Sequence, residues 1–220
     1  MKGMNSNSNA ALGLLLVLFL LGSGCGPSGV KREKLESGTL EGSTYVNQSL
    51  GLTVSIPRTW LVQDSEAQNR LTQRGKNALS GRGKDFDNEL AESEANTVIL
   101  LTLRKYPEGA ASDINPMFMI AAENLDTHAG INTGNDYLAE MKNTMEKGGV
   151  KLPLAGAASE TFGGVVFDSV AGAVSTGKLT VNEKMFATVR KGYAVAAVAV
   201  YADPVDWDTI KGVLRSMEFK

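Results

Sequence analysis

Two stretches, Thr97 to Lys105 (TVILLTLRK) and Met117 to Ala122, are apolar at consecutive positions rather than at alternate ones. A strand carries that pattern when both of its faces are covered, so each run belongs inside a sheet with a layer packed on either side. Helices must supply those layers. The clearest one spans Asn135 to Lys147, where Leu138, Met141 and Met145 follow helical spacing. Thr133 and Asp136 make a capping-box-like start to it, and Gly148 and Gly149 end it.

Four further runs read as successive antiparallel strands: Ala157 to Thr161, Val165 to Val174, Leu179 to Arg190 and Tyr193 to Ala202. In the last, Ala194, Ala196, Ala197 and Ala199 leave room for a helix backbone to approach closely. Val205 to Met217 supplies that helix through Ile210, Val213, Leu214 and Met217. Nearer the start, Leu50, Leu52, Val54 and Ile56 alternate with small or polar residues, Pro57 stops the strand, and Trp60 is placed to pack over the end of the sheet. Asp64 to Asn96 is polar with sparse apolar contacts, and predicts two short surface helices broken near Gly81 and Gly83.

The first 24 residues are of another kind. Lys2 is followed by an apolar run, Ala10 to Leu21, that falls well short of the ~20 residues a spanning helix needs. The string Gly22, Ser23, Gly24, Cys25 after it resembles the lipobox of bacterial lipoproteins. The resemblance implies a diacylglycerol on the Cys25 sulfur, cleavage before that residue, and acylation of the new amine, for example by palmitate. Gly22 and Gly24 also satisfy the small-residue rule of an ordinary secretory signal, which would leave a free thiol near the mature start. Two or three acyl chains, at about 0.8 kcal/mol per buried methylene, make a lasting anchor where one does not.

Cys25 is the only cysteine, so no intramolecular disulfide can form and the fold must stand on its core. Residues 25–43, rich in Gly, Ser and charge, read as the lipidated cysteine and a flexible tether with a reach of roughly 25 Å; residues 44–220 read as one globular domain. With the leader's Lys2 removed, 21 basic and 24 acidic side chains remain. That balance implies no nucleic-acid partner.

Tyr45, Leu50, Gly51, Leu52, Ile56, Pro57 and Trp60, then Gly192, Tyr193 and Ala194, and the ending Leu214, Arg215, Ser216, Met217, Glu218, Phe219 together resemble the PsbP/Mog1-like superfamily. Members open with a strand ending in proline, two residues and tryptophan, and close with a helix leading to a serine and a terminal aromatic. The resemblance spans residues 44 to 220. It implies an α+β fold, an α/β/α sandwich whose central antiparallel sheet is covered by helices on both faces, and a theme of binding larger partners rather than catalysis. No functional residue of the characterised branches has a match here, so none is carried over.

Strings that look catalytic have simpler explanations. Gly172 to Lys178 has P-loop spacing, but Leu179 follows where Ser or Thr is needed, and the next residues alternate like a strand instead of opening a helix; a hairpin turn explains it. Ser175 with Lys178, and Ser28 with Lys31, are Ser-x-x-Lys pairs without the setting that would make the lysine a base. His128 is the only histidine, so the sequence predicts neither a catalytic triad nor a multi-histidine metal site, and it reads as a loop residue. Asp85, Asp87 and Glu89 begin like a calcium loop, but Leu90 stands where glycine is required.

One charge pattern remains. Arg70, Arg74, Lys76, Arg82 and Lys84 come without an acid between them, and Asp85, Asp87, Glu89, Glu92 and Glu94 follow without a base. The segment is either a docking surface for anionic head groups or an acidic partner, or a pair of helices whose charges neutralise each other. The sequence thus predicts a non-catalytic lipoprotein of the bacterial envelope without cofactor or metal. It would be held at a bilayer by acylated Cys25, with Gly26 after the cysteine favouring the outer membrane, and its domain would bind a protein partner. A carrier or sensor of a small apolar ligand, held by Met117, Met119, Met141 and Met145, is the alternative, and a hydrolase a more distant one.

Overall fold

The computed structural model describes residues 35–177 and 179–220, the side chain of Thr176 excepted. In chain order the elements are β1 (Thr39–Glu41), β2 (Thr44–Asn47), β3 (Leu52–Ser55), β4 (Leu61–Val62), α1 (Ser65–Leu79), α2 (Lys84–Asn96), β5 (Thr97–Arg104) and β6 (Met117–Asn124). Then come α3 (Gly134–Lys147), β7 (Leu154–Phe162), β8 (Val165–Thr176), β9 (Leu179–Arg190), β10 (Tyr193–Tyr201), α4 (Pro204–Arg215) and β11 (Glu218–Phe219). Seven strands form one antiparallel sheet in the order β4-β5-β6-β10-β9-β8-β7, and β1-β2-β3-β11 form a second, smaller one.

The strands apolar on both faces, β6 and β10, sit side by side at the centre of the large sheet, paired from Tyr193 with Asn124 to Val200 with Met117. Their side chains alternate between two cores. Phe118, Ile120, Val195, Ala197 and Ala199 face the first core, which is closed by Ile210, Val213, Leu214 and Met217 at the end of the chain and by Tyr45, Leu52, Val54 and Trp60 around the small sheet. Met117, Met119, Ala121, Ala194, Ala196 and Val198 face the second, closed by Leu71 of α1 and by Tyr137, Leu138 and Met141 of α3. The alanines of β10 are therefore divided. Ala197 and Ala199 make room for α4, while Ala194 and Ala196 lie on the side of α3.

Local signals set the helix ends. The Asp64 side chain accepts from the Ala67 amide at 2.7 Å to start α1. Thr133 and Asp136 form a reciprocal capping box on α3, and Asp203 caps α4 with Pro204 in its first turn. Helices α1 and α2 are more than surface decoration: Leu71 packs on the second core, and Leu79, Phe86 and Leu90 make a third cluster with Met145 and Val150.

The fold begins before residue 44, the boundary expected for the tether. Leu35 is buried against the first core and β1 pairs with β2 from Thr39 with Val46 to Glu41 with Thr44. The Tyr45 hydroxyl donates to the Ser37 carbonyl at 2.6 Å, and the Asn47 side-chain amide donates to the Glu36 carbonyl at 2.8 Å. Composition made this stretch look like linker, but two inward-facing polar side chains of β2 fasten its backbone. Cys25, Ser28 and Lys31 lie outside the described residues.

Candidate functional site

The predicted docking residues occupy α1 and the turn into α2, and three of the five are engaged. Arg70 Nη1 meets Glu66 at 2.7 Å and Arg70 Nη2 meets Glu108 at 2.9 Å. Arg74 pairs with the other oxygen of Glu108, and Lys76 pairs with Glu94 of α2 at 2.7 Å. Hydrogen bonds from Arg74 and Arg70 hold the Glu108 carboxyl below its ordinary range. Glu108 lies in the connection after β5, far from the cations in sequence, and no spacing rule could have assigned it to them. Arg82 reaches only the Ala78 carbonyl, at 3.5 Å, and Arg82 and Lys84 form no ion pair with a described residue. The acidic run is helical: Asp85, Asp87 and Glu89 lie in α2, and Asp87 accepts from the Gly81 amide at 3.0 Å.

The P-loop-like string is a hairpin. Val174 pairs with Val181, Ser175 with Thr180 and Thr176 with Leu179 across a tight turn in which Gly177 takes a positive φ of 64°. Lys178 lies outside the described residues. The four methionines do not share one space. Met117, Met119 and Met141 belong to the second core, and Met145 to the third cluster.

The sequence reading missed a buried polar cluster at the end of β6. Met117, Met119 and Ala121 point into the second core, and strand alternation turns Glu123 inward after them. Glu123 is 1% exposed. Its Oε2 accepts from the Tyr137 hydroxyl of α3 at 2.8 Å, and its Oε1 accepts from the Ser93 hydroxyl of α2 at 3.0 Å. Nε2 of His128 stands 3.7 Å from the same Oε1, and His128 is a loop residue as expected, in the β6–α3 connection, but a buried one.

Each ionisable member is displaced toward neutrality. Burial pushes the Glu123 carboxyl up to about 8, with the nearby charge of Glu92 adding to it and the Tyr137 and Ser93 hydrogen bonds opposing it. Burial pushes the His128 imidazole down, against the pull of Glu92 and Glu140, and holds the Tyr137 phenol well above its usual range. A signal for the cluster was present in the sequence: a glutamate on the inward beat of MFMIAAEN has to find donors or stay protonated.

A second glutamate has the same position on β9. Glu183 lies between Val181 and Met185 on the inward face, opposite Val200 and Gly172, and its Oε1 is buried without a hydrogen-bond partner among the described residues. Burial raises this carboxyl well above its ordinary value.

The sheets and helices define an α+β domain built on an antiparallel sheet with a layer on each face. No model of a known protein family matches the chain, and no curated protein matches it. Among solved structures it is similar to a crystal structure from Bacteroides thetaiotaomicron (TM-score 0.43, 9% identity, covering 82% of this chain and 49% of that one). It is also similar to LpqN, involved in cell envelope biogenesis of Mycobacterium tuberculosis (0.43, 13% identity, 77% and 83%). A third is the solution structure of cyanobacterial PsbP, CyanoP, from Synechocystis (0.45, 18% identity, 91% and 99%). The chain spans about half the length of the Bacteroides protein. Among the described residues no helix is long and apolar enough to cross a membrane.

Proposed function

We propose that this chain is a lipid-anchored protein of the bacterial envelope whose domain binds or steadies a larger protein assembly beside the membrane. The observation that carries the reading is Cys25, the single cysteine, directly after an apolar run and three small residues. Acylation there holds the protein at the bilayer. Gly26 in the position after the cysteine favours delivery to the outer membrane in a double-membraned cell.

A binding role is supported by where the titratable groups lie. Glu123, His128, Ser93 and Tyr137 are all buried, so they offer no reacting atom to a substrate in solvent. The docking surface belongs at the turn between α1 and α2, where Arg82 and Lys84 stay outside the ion pairs that occupy Arg70, Arg74 and Lys76.

The test is crosslinking in native membranes followed by intact-mass analysis of the recovered chain. Wild type should start at Cys25, carry acyl mass and join a specific partner, while Cys25→Ser should leave the membrane fraction and lose that partner. A start elsewhere, an unmodified thiol, or no specific partner for the wild type overturns the reading.

A further inference from the structure

The Glu123 cluster ties together three elements that are otherwise held unequally. Ser93 belongs to α2, Tyr137 to α3, and His128 to the connection between β6 and α3. Helix α3 has its own apolar grip on the sheet through Leu138 and Met141. Helix α2 has only Phe86 and Leu90, which pack into the small third cluster. The Ser93 hydroxyl adds a polar tie from α2 to the sheet, beside the ion pairs that join α2 to α1 through Lys76 and Glu94 and to α3 through Lys147 and Glu89.

The cluster also has an unfilled place. Nε2 of His128 is buried without a hydrogen-bond partner among the described residues, and the Glu123 oxygen nearest to it is 3.7 Å away, beyond the ~2.7–3.2 Å of a formed hydrogen bond. A carboxyl group and an imidazole facing each other in this way can hold one proton between them, on either group, short of a formed hydrogen bond at this distance. If it sits on Glu123, the carboxyl donates toward the Nε2 lone pair; if it sits on His128, the imidazolium donates toward the carboxylate. Both arrangements leave the pair with no net charge.

We propose that Glu123 and His128 together hold one buried proton that latches α2 and the β6–α3 connection to the sheet, and that losing this proton releases that corner of the domain. The proton departs to solvent base and leaves a carboxylate inside the fold. Two hydroxyl donors, from Ser93 and Tyr137, are then its only hydrogen-bond partners among the described residues. The other charged groups acting on the cluster, Glu92 of α2 and Glu140 of α3, are both acidic and favour retention of the proton. In the sheet, Glu123 is flanked by Thr97 of β5 and Ala194 of β10, which bring no positive charge. Burial pushes the carboxyl up to about 8, which puts release in mildly alkaline conditions.

Backbone amide hydrogen exchange, corrected for the intrinsic rate at each pH, reads this directly. In wild type, residues 86–96 and 125–133 should lose about tenfold or more of their protection between roughly pH 6.5 and roughly pH 9, and should be less protected than β10 at the alkaline end. Glu123→Gln should hold the protection of both segments level over that range, and Glu183→Gln should leave the wild-type loss in place. Level protection in wild type, a persisting loss in Glu123→Gln, or its disappearance in Glu183→Gln overturns the proposal. Should Glu123→Gln fail to fold, the carboxyl carbon shift of Glu123 in the wild type decides: a midpoint near 8 supports the latch, and one in the ordinary carboxylate range refutes it.

Discussion

The Tyr137 hydroxyl and the Glu123 carboxyl meet at 2.8 Å beneath α3, and burial pushes that carboxyl up to about 8. The folded chain therefore holds a proton that the unfolded chain gives up at about pH 4.3. A group raised in this way stabilises fully below its unfolded value and loses that contribution as pH rises through the folded one. His128 has the opposite sign: its folded value is lowered, so its contribution is present above ~6.5 and lost as pH falls. From about pH 6.5 to 8 the glutamate effect is unopposed. One proton corresponds to roughly 1.4 kcal/mol per pH unit, so wild-type stability in urea should fall across that window. Glu123→Gln should show a shallower decline, and an equal slope in both proteins would refute the assignment.

Gly134 opens α3 directly against β9. A Cβ at this position would lie 1.9 Å from the Ala187 carbonyl oxygen and 3.1 Å from an Asp168 carboxylate oxygen. The helix start would have to move away from the sheet, and with it the capping box of Thr133 and Asp136. Gly134→Ala should destabilise by about 1–3 kcal/mol despite alanine's better helix propensity. Gly212, inside α4, has nothing within 4 Å of its Cβ position, so Gly212→Ala should stabilise by about 0.5–1 kcal/mol. Thermal melts of the two variants should move in opposite directions.

Glu108 gathers Arg70 and Arg74, yet all three side chains are open to water. Exposed pairs of this kind contribute about 0–1 kcal/mol each, so Glu108→Ala should leave the melting temperature nearly unchanged. Its effect should be on surface charge. Arg74 loses the carboxylate it pairs with, Arg70 keeps only Glu66 among the described residues, and the variant should elute from a cation exchanger at higher salt than wild type. Unchanged elution would mean that the arginines find other acids.

The parts of the fold that were legible are those written in local sequence. The doubled apolar pattern of TVILLTLRK and MFMIAAEN placed β5 and β6 in the sheet interior, and Thr133 with Asp136 gave the start of α3 to within a residue. The small sheet was harder. Thr39–Glu41 is a three-residue strand turned back on β2 across Gly42 and Ser43, Glu218–Phe219 is two residues long and pairs with the remote Thr53 and Leu52, and what makes them strands is the edge each finds on β2 or β3. The site was harder still. Glu123 draws its partners from three separate elements, so the sequence could signal that an inward glutamate needs help, but not that Ser93, Tyr137 and His128 would provide it.

Glu183 poses the complementary case of an inward glutamate with an unpartnered oxygen. Its Oε1 is buried without a donor among the described residues, and the side chain lies among Val181, Met185 and Val200. A neutral carboxyl left without hydrogen bonds costs about 1–3 kcal/mol relative to one in water, and a charged one costs more. Replacing it by an apolar side chain of similar length removes that penalty and keeps the volume. Glu183→Met should therefore raise stability, by roughly 1–3 kcal/mol in urea denaturation. The carboxyl is raised well above its ordinary value, so it stays protonated in the fold while the unfolded chain ionises, and the gain should be larger at alkaline pH than near pH 5. A loss of stability in Glu183→Met at both pH values would mean that the fold gives this carboxyl a hydrogen-bonding partner, and that its burial is compensated after all.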